Sequence, residues 1–415
     1  MKRALSLTAG VVLIALLAMV APALSARPYL PEPVEFDMAG PREGDVGAAR
    51  SSRLRALRVA RPYVSPPLRA PRRFNLLGLR WTGTAEPDIA VRVRPVGGRW
   101  GRWTPVGAHP DGNPDAGTGE RIARGVSAPV WAGESDELQY RLSRRVPDLR
   151  IELVNTTGSS TPAERVRTAV RSAVSRVAVA ALTPSTAWAQ GGRPNIVPRA
   201  AWGGNMCRPR GRIGYGSVKA AFVHHTVTAS AYSPQQARAA VLAICRFHRN
   251  SNGWGDIGYN FVVDRYGTIY EGRAGGVDRA VVGAQAQGWN TQSTGIANLG
   301  TFTAQPQSPQ ALASMARLIR WKLPLHGVPT AGTVGLVSAG GATTRYPRGQ
   351  TRPFNRVSGH RDGNQTSCPG TRLFAQLPDL RRRVGGVAPA APAPSGGEGG
   401  GGSSEDDGGG FTGAR

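Results

Sequence analysis

The pattern of apolar and polar positions changes character several times along the chain, and each change marks a candidate element. Between residues 74 and 154 short runs alternate, as in Phe74-Asn75-Leu76-Leu77-Gly78-Leu79-Arg80-Trp81, Ile89-Ala90-Val91-Arg92-Val93-Arg94 and Leu138-Gln139-Tyr140-Arg141-Leu142. Clusters of Gly, Pro, Asp and Asn separate the runs. Residues 74–158 therefore read as a small antiparallel β-sandwich or jelly roll, an accessory binding module. Trp100 and Trp103 lie within it; core packing is the more frequent fate of such rings, and a sugar-stacking platform is the alternative. Thr161-Pro162-Ala163-Glu164 has the form of a capping box with proline at the first helical position. Val166, Val170, Val174 and Val177 follow at helical spacing and form one apolar stripe. Residues 159–196 are thus a helix and a linker.

From residue 197 to 384 the rhythm is α/β. Ala221-Phe222-Val223-His224-His225-Thr226 is β-branched and aromatic without a helical period, hence a strand. Ser233-Pro234-Gln235-Gln236 opens a helix that runs to about Arg249. Tyr259–Val263 and Thr268–Tyr270 pair as a hairpin across Asp264-Arg265-Tyr266-Gly267. Gly295–Phe302 is a further strand, and Ser308-Pro309 start another helix. The expected fold class is α/β: a mixed central sheet covered by helices around a cleft, preceded by the small antiparallel β domain.

Composition changes the picture at the ends. Lys2 and Arg3 precede an apolar run from Ala9 to Val20, and small residues follow at Ala21, Ala23 and Ser25. Residues 1–25 read as a secretory signal peptide, with an uncleaved anchor helix as the alternative. No other stretch reaches the roughly 18 apolar residues of a membrane span. The expected protein is secreted, extracellular or associated with a cell wall, with no stable membrane insertion after cleavage. Residues 26–73 are rich in Pro and Arg and carry no acidic residue between Arg50 and Arg73; they read as a disordered basic arm. Residues 385–415 form a Gly/Ser/Pro-rich flexible tail. Lys and Arg total 52 against 26 Asp and Glu, a net charge of +26 that favours polyanions as partners. No nucleic-acid-binding motif accompanies that charge, so nucleic acid is not an expected partner.

The candidate chemistry lies in two separated stretches, the strand ending in His224-His225 and the segment Gly359-His360-Arg361-Asp362 followed by Cys368. Imidazole nitrogens and a thiolate suit zinc, and three protein ligands leave the fourth tetrahedral position open. Neighbouring side chains on a strand point to opposite faces, so only one of His224 and His225 serves a given site. The remaining histidines, His109, His248 and His326, read as surface or satisfied core.

Phe222-Val223-His224-His225-Thr226, Gly253-Trp254-Gly255-Asp256-Ile257-Gly258-Tyr259-Asn260-Phe261 and Gly359-His360-Arg361-Asp362 with Cys368-Pro369-Gly370 resemble the zinc amidase family that includes peptidoglycan recognition proteins. The resemblance runs from about Val197 to Leu380. It implies a type 2 N-acetylmuramoyl-L-alanine amidase that cleaves the lactyl–L-alanine amide of peptidoglycan. It further implies zinc on His224, His360 and Cys368. Tyr259 then stands beside the metal as a donor to the developing oxyanion, and Thr366 supplies a hydroxyl where the family often has lysine or threonine. The alternative is a non-catalytic peptidoglycan-binding receptor on the same fold, a kind of family member that usually lacks the cysteine. Where the family commonly has histidine, this chain has Gln285, read as a substrate contact. Arg273 reads either as a contact to a stem-peptide carboxylate or as a loop-bracing ion pair. The expected partners are peptidoglycan and anionic wall polymers, and a monomer is expected. With Cys368 committed to metal, Cys207 and Cys245 remain as an even pair, a disulfide or two buried thiols. The zinc ligands all follow Val197, so removal of residues 27–158 is expected to leave hydrolysis of soluble muropeptides nearly intact.

Overall fold

The structure, a computed structural model, describes residues 29–40, 62–107, 112–228, 230–385, without 181–191. The signal-peptide segment, half of the basic arm, His109 and the C-terminal tail beyond residue 385 lie outside the described residues.

Seven antiparallel strands form the N-terminal sheet, in the order Val34–Ala39, Arg150–Asn155, Leu68–Arg80, Val130–Leu142, Ile89–Pro95, Thr104–Val106, with Tyr63–Val64 against Val130–Leu142. Register shifts in the pairing of Leu68–Arg80 with Val130–Leu142 let these two long strands bend. Two parts of the expected basic arm are strands instead. In Val34–Ala39 every second residue is half-buried, and Phe36 and Met38 pack on the sheet's core. That period-two pattern outweighs the Pro- and Arg-rich surroundings.

The C-terminal domain is a mixed sheet in the order Val357–Gly359, Ala220–His225, Ser293–Asn298, Phe261–Val263, Ile269–Glu271, Ile196–Val197. All its pairs are parallel except the hairpin of Phe261–Val263 with Ile269–Glu271. The strand Ala220–His225 is buried along its whole length, as a central parallel strand covered on both faces must be. The helix Pro234–Asn250 covers one face and Pro309–Leu325 the other. Ser233 caps the first reciprocally with Gln236, the capping box expected from sequence. Cys207 and Cys245 form a disulfide across 38 residues. Closing a loop of that size contributes on the order of 3–4 kcal/mol by restricting the unfolded chain.

The helix Pro162–Ala180 begins with the expected Thr161–Glu164 capping box. The first two valines of its stripe do not enter a core: Val166 and Val170 are 66% and 58% exposed.

The two domains share a core. Leu76, Val126, Trp131 and Val154 of the N-terminal domain cluster with Phe247, Val241 and Trp202 of the C-terminal domain. Leu77 and Leu79, by contrast, face the N-terminal domain's own core. Leu76-Leu77-Gly78-Leu79 is thus a strand buried on both faces, which is what an uninterrupted apolar run signals. Gly78 lies where the ring of Phe247 abuts the strand, and a Cβ there would stand 2.2 Å from Phe247 Cζ. Thr156 Oγ1 donates to Ala239 O at 2.8 Å across the same contact.

Candidate metal centre and cleft

His224 occupies the C-terminal end of Ala220–His225, between two parallel neighbours. One of these, Val357–Gly359, ends at Gly359, and His360 starts a short helix there. Ligand sites in open parallel sheets form at such strand ends. Cys368 arrives from the following loop. The candidate ligand atoms of His224, His360 and Cys368 all lie within 4.8 Å of one another, and all three residues are buried. The rings of His224 and His360 are 4.5 Å apart, and His224 Nδ1 stands 3.8 Å from Cys368 Sγ.

The surrounding hydrogen bonds fix the tautomer of His224. Ser293 Oγ donates to Trp289 O at 2.8 Å and accepts from Gln285 Nε2 at 2.9 Å. That turns Gln285 Oε1 toward His224, whose Nε2–H donates to it. The lone pair of His224 is then on Nδ1, toward Cys368. Burial holds His224 neutral, with its pKa lowered to about 3, and it lowers His360 well below the usual value, aided by His224 and His225. Neither ring nitrogen of His360 has a hydrogen-bond partner among the described residues. Two neutral imidazoles and a sulfur converging in a buried site, with ring nitrogens left unsatisfied, fit a zinc ion.

His225, on the opposite face of the strand, supports Cys368 through its backbone and itself lines the neighbouring cavity. Its backbone N–H donates to Cys368 Sγ at 3.3 Å, and its Nδ1 accepts from Phe302 N at 3.4 Å. Thr366 Oγ1 accepts from Cys368 N at 3.1 Å. Tyr259, buried, stands with its ring 5.5 Å from that of His224 and 5.6 Å from that of His248. His248 is satisfied core: its Nδ1 accepts from Gly258 N at 3.2 Å, and its ring stacks 4.6 Å from Trp254.

The two residues expected as substrate contacts, Gln285 and Arg273, are both buried against protein partners. Gln285 is fully buried with its carboxamide turned to the His224 ring. Arg273 is buried in an ion pair with Glu120 of the N-terminal domain, whose other oxygen accepts from Gly255 N at 2.7 Å. The ion pair of the loop-bracing alternative is thus present, with a partner from the other domain. Replacing Gln285 with Leu is expected to weaken zinc binding by about 10- to 100-fold. Chelator competition measures this, and an unchanged zinc affinity would show that the carboxamide does not orient His224.

Sequence reasoning missed the loop at residues 112–120, which carries no motif. Asn290 Oδ1 accepts from Gln285 N and Ala286 N at 2.8 and 2.9 Å. Its Nδ2 donates to Asn113 O and to Asp115 Oδ1, both at 2.8 Å. Asp115 Oδ1 also accepts from Gly288 N at 2.6 Å. Burial pushes the Asp115 carboxyl up despite these bonds. Gly112 permits the approach: at φ +137° it lies against Gln285, and a Cβ would stand 2.5 Å from Ala284 O.

Through His360 the centre adjoins a cavity of about 1050 Å³. His360, Thr366, Asn364 and Thr228 line it from the C-terminal domain, and Arg92, Arg102, Trp103 and Trp131 line it from the other.

An α/β domain whose parallel strand ends bring two histidines and a cysteine together, closed on one side by an antiparallel β domain, defines the class. The chain belongs to the peptidoglycan-recognition protein and N-acetylmuramoyl-L-alanine amidase family. Residues 214–371 match the N-acetylmuramoyl-L-alanine amidase family, and residues 52–173 match the Rv3811 N-terminal galactose-binding domain-like family. Peptidoglycan-recognition protein SC1a of Drosophila melanogaster is 30% identical over 207 residues, 49% of this chain and 95% of that protein. The N-acetylmuramoyl-L-alanine amidase of Homo sapiens is 33% identical over 188 residues, 45% of this chain and 28% of that protein. A structure of peptidoglycan recognition protein-LE in complex with tracheal cytotoxin, a monomeric diaminopimelic acid-type peptidoglycan, is 27% identical. It covers 44% of this chain and 92% of that one, with a TM-score of 0.35. The family thus includes both amidases and recognition proteins.

Proposed function

We propose that the protein is an exported zinc-dependent N-acetylmuramoyl-L-alanine amidase that hydrolyses the lactyl–L-alanine amide of peptidoglycan. The observation that carries this reading is the buried cluster of His224, His360 and Cys368, within 4.8 Å of one another, of which His360 also lines the cavity. These three residues would hold the ion. When bound, zinc supplies a Lewis acid for the amide carbonyl and makes water acidic enough to attack near neutral pH. Gln285 and the His225 N–H orient and support the ligands. The Tyr259 phenol donates to the oxyanion that develops on the scissile carbonyl. Thr366 Oγ1 accepts from Cys368 N and keeps its own O–H to donate toward substrate. The described residues lining the cavity include no aspartate or glutamate, and the reaction we propose assigns no carboxylate base. Export rests on the signal-peptide reading of residues 1–25. Among the described residues no helix is long and apolar enough to cross a membrane.

Zinc-loaded protein incubated with a defined muramoyl peptide should release a peptide with a free L-alanine amino terminus, identified by mass spectrometry. Tight binding of the muramoyl peptide with no cleavage would replace this reading with that of a receptor. Tyr259→Phe is expected to reduce turnover roughly 100- to 1000-fold, the size of an oxyanion contact, with zinc retained. Full turnover in this variant would remove the phenol from the reaction.

A further inference from the structure

The cavity that His360 and Thr366 share is walled on its other side by the N-terminal domain. We propose that Arg92, Arg102 and Trp103 make this wall a subsite for a carboxylate-bearing part of the muropeptide, so that the β domain selects substrate within the cleft itself. The proposal rests on the reading of the cavity as the substrate cleft of the amidase.

The charge of the wall points to the ligand. Arg92 and Arg102 line the cavity from the N-terminal domain and Arg265 from the C-terminal domain, and no carboxylate is among the described lining residues. Arg92 and Arg94 point to the same face of Ile89–Pro95. Arg94 is neutralised by Glu137. Arg92, in contrast, is held by groups without charge. Gln139 Oε1 accepts from its Nε at 2.9 Å and its Nη2 at 2.5 Å. Its guanidinium lies 4.7 Å from the ring centre of Trp103 and 5.1 Å from that of Trp100.

A guanidinium carries five N–H donors in a rigid fork. Neutral neighbours fix its direction and leave its charge to be met by a ligand. Stacking on indole adds rigidity, so little side-chain entropy remains to be lost on binding. Trp103 also lines the cavity and offers an apolar ring beside that charge. A ligand that suits the wall has an anionic group next to a flat or apolar surface. A muramoyl peptide, with its sugar ring and stem-peptide carboxylates, is such a molecule. The roles of the two domains are then distinct. The C-terminal domain holds the reacting amide, and the N-terminal domain reads the acidic portion of the same molecule.

The test uses the full-length zinc-loaded protein and two probes: a muramoyl tripeptide with free carboxylates, and the same compound with those carboxylates amidated. Titration calorimetry at fixed ionic strength gives both affinities for the wild type and for the Arg92→Gln/Arg102→Gln variant. The wild type should prefer the acidic probe by about tenfold or more, the effect of one charge-assisted hydrogen bond. The double variant should bring the two affinities to within about threefold, with zinc content and thermal midpoint unmoved. Equal weakening toward both probes would overturn the proposal and make the wall only a shape. Absence of a preference in the wild type, or of any binding, would overturn it too. Preference for the acidic probe without amide cleavage would instead sink the amidase reading and leave the subsite standing.

Discussion

Cys368→Ala is expected to abolish amide hydrolysis and most zinc binding while leaving the fold formed. The variant removes the one sulfur from a site in which both imidazoles are already neutral and buried. Two imidazoles without a thiolate hold zinc weakly, since structural and catalytic zinc sites use at least three protein ligands. The fold should survive because a single atom is removed from a loop beside the strand ends, outside the two large apolar clusters that hold the C-terminal sheet. What the fold loses is the acceptor for the His225 N–H, worth on the order of 1–3 kcal/mol if it stays unsatisfied. Zinc content, amide cleavage and thermal midpoint measured on one preparation separate the cases. Unchanged zinc with full activity would remove Cys368 from the ligand set. A protein inactive before the substitution would favour the receptor.

The site was legible where it depends on local pattern. Strand alternation singles out one of His224 and His225, and the run Ser358-Gly359-His360 puts the second histidine at the end of a neighbouring strand. What the sequence withheld were partners set by tertiary contact. The role of Gln285 depends on which way its carboxamide is turned, and the hydroxyl of Ser293 decides that. Arg273 finds Glu120 at 153 positions' distance in the chain, and nothing local to Glu120 announces the pairing. The same limit applies to the fold. The apolar alternation around Leu76 gives a strand, but the second buried face shows only as one extra apolar residue in Leu76-Leu77, whose covering helix lies far along the chain.

That second face overturns the expected independence of the domains and leads to the other large effect. Leu76→Ala in the full-length protein is expected to cost about 2–5 kcal/mol of stability, as a fully buried leucine does. Both domains should respond, because Leu76 belongs to the cluster that contains Phe247 and Tyr259. Removing residues 27–158 should do far more. It uncovers the apolar side of Pro234–Asn250, leaves the buried Arg273 without Glu120, and withdraws Asn113 and Asp115 from Asn290. The truncated chain should therefore fail to fold or to retain zinc, and soluble muropeptides should no longer be cleaved. Denaturant unfolding followed by far-UV dichroism and tryptophan fluorescence supplies the check. One shared transition, moved as a whole by Leu76→Ala, is the expected result. Two transitions of which only the first moves, together with an active truncated enzyme, would restore the modular view.

The contact of Gly78 with Phe247 bears on how such proteins are recombined. A chimera that joins this β domain to another amidase must carry the face of Pro234–Asn250 with it, because any side chain at position 78 meets that ring. The loop at 112–120 adds a second matching surface at Gln285–Asn290. A crossover placed in the linker between the domains would cut none of these contacts in the chain and would break all of them in space. Productive exchange requires transplanting the strand, the helix and both loops as one block.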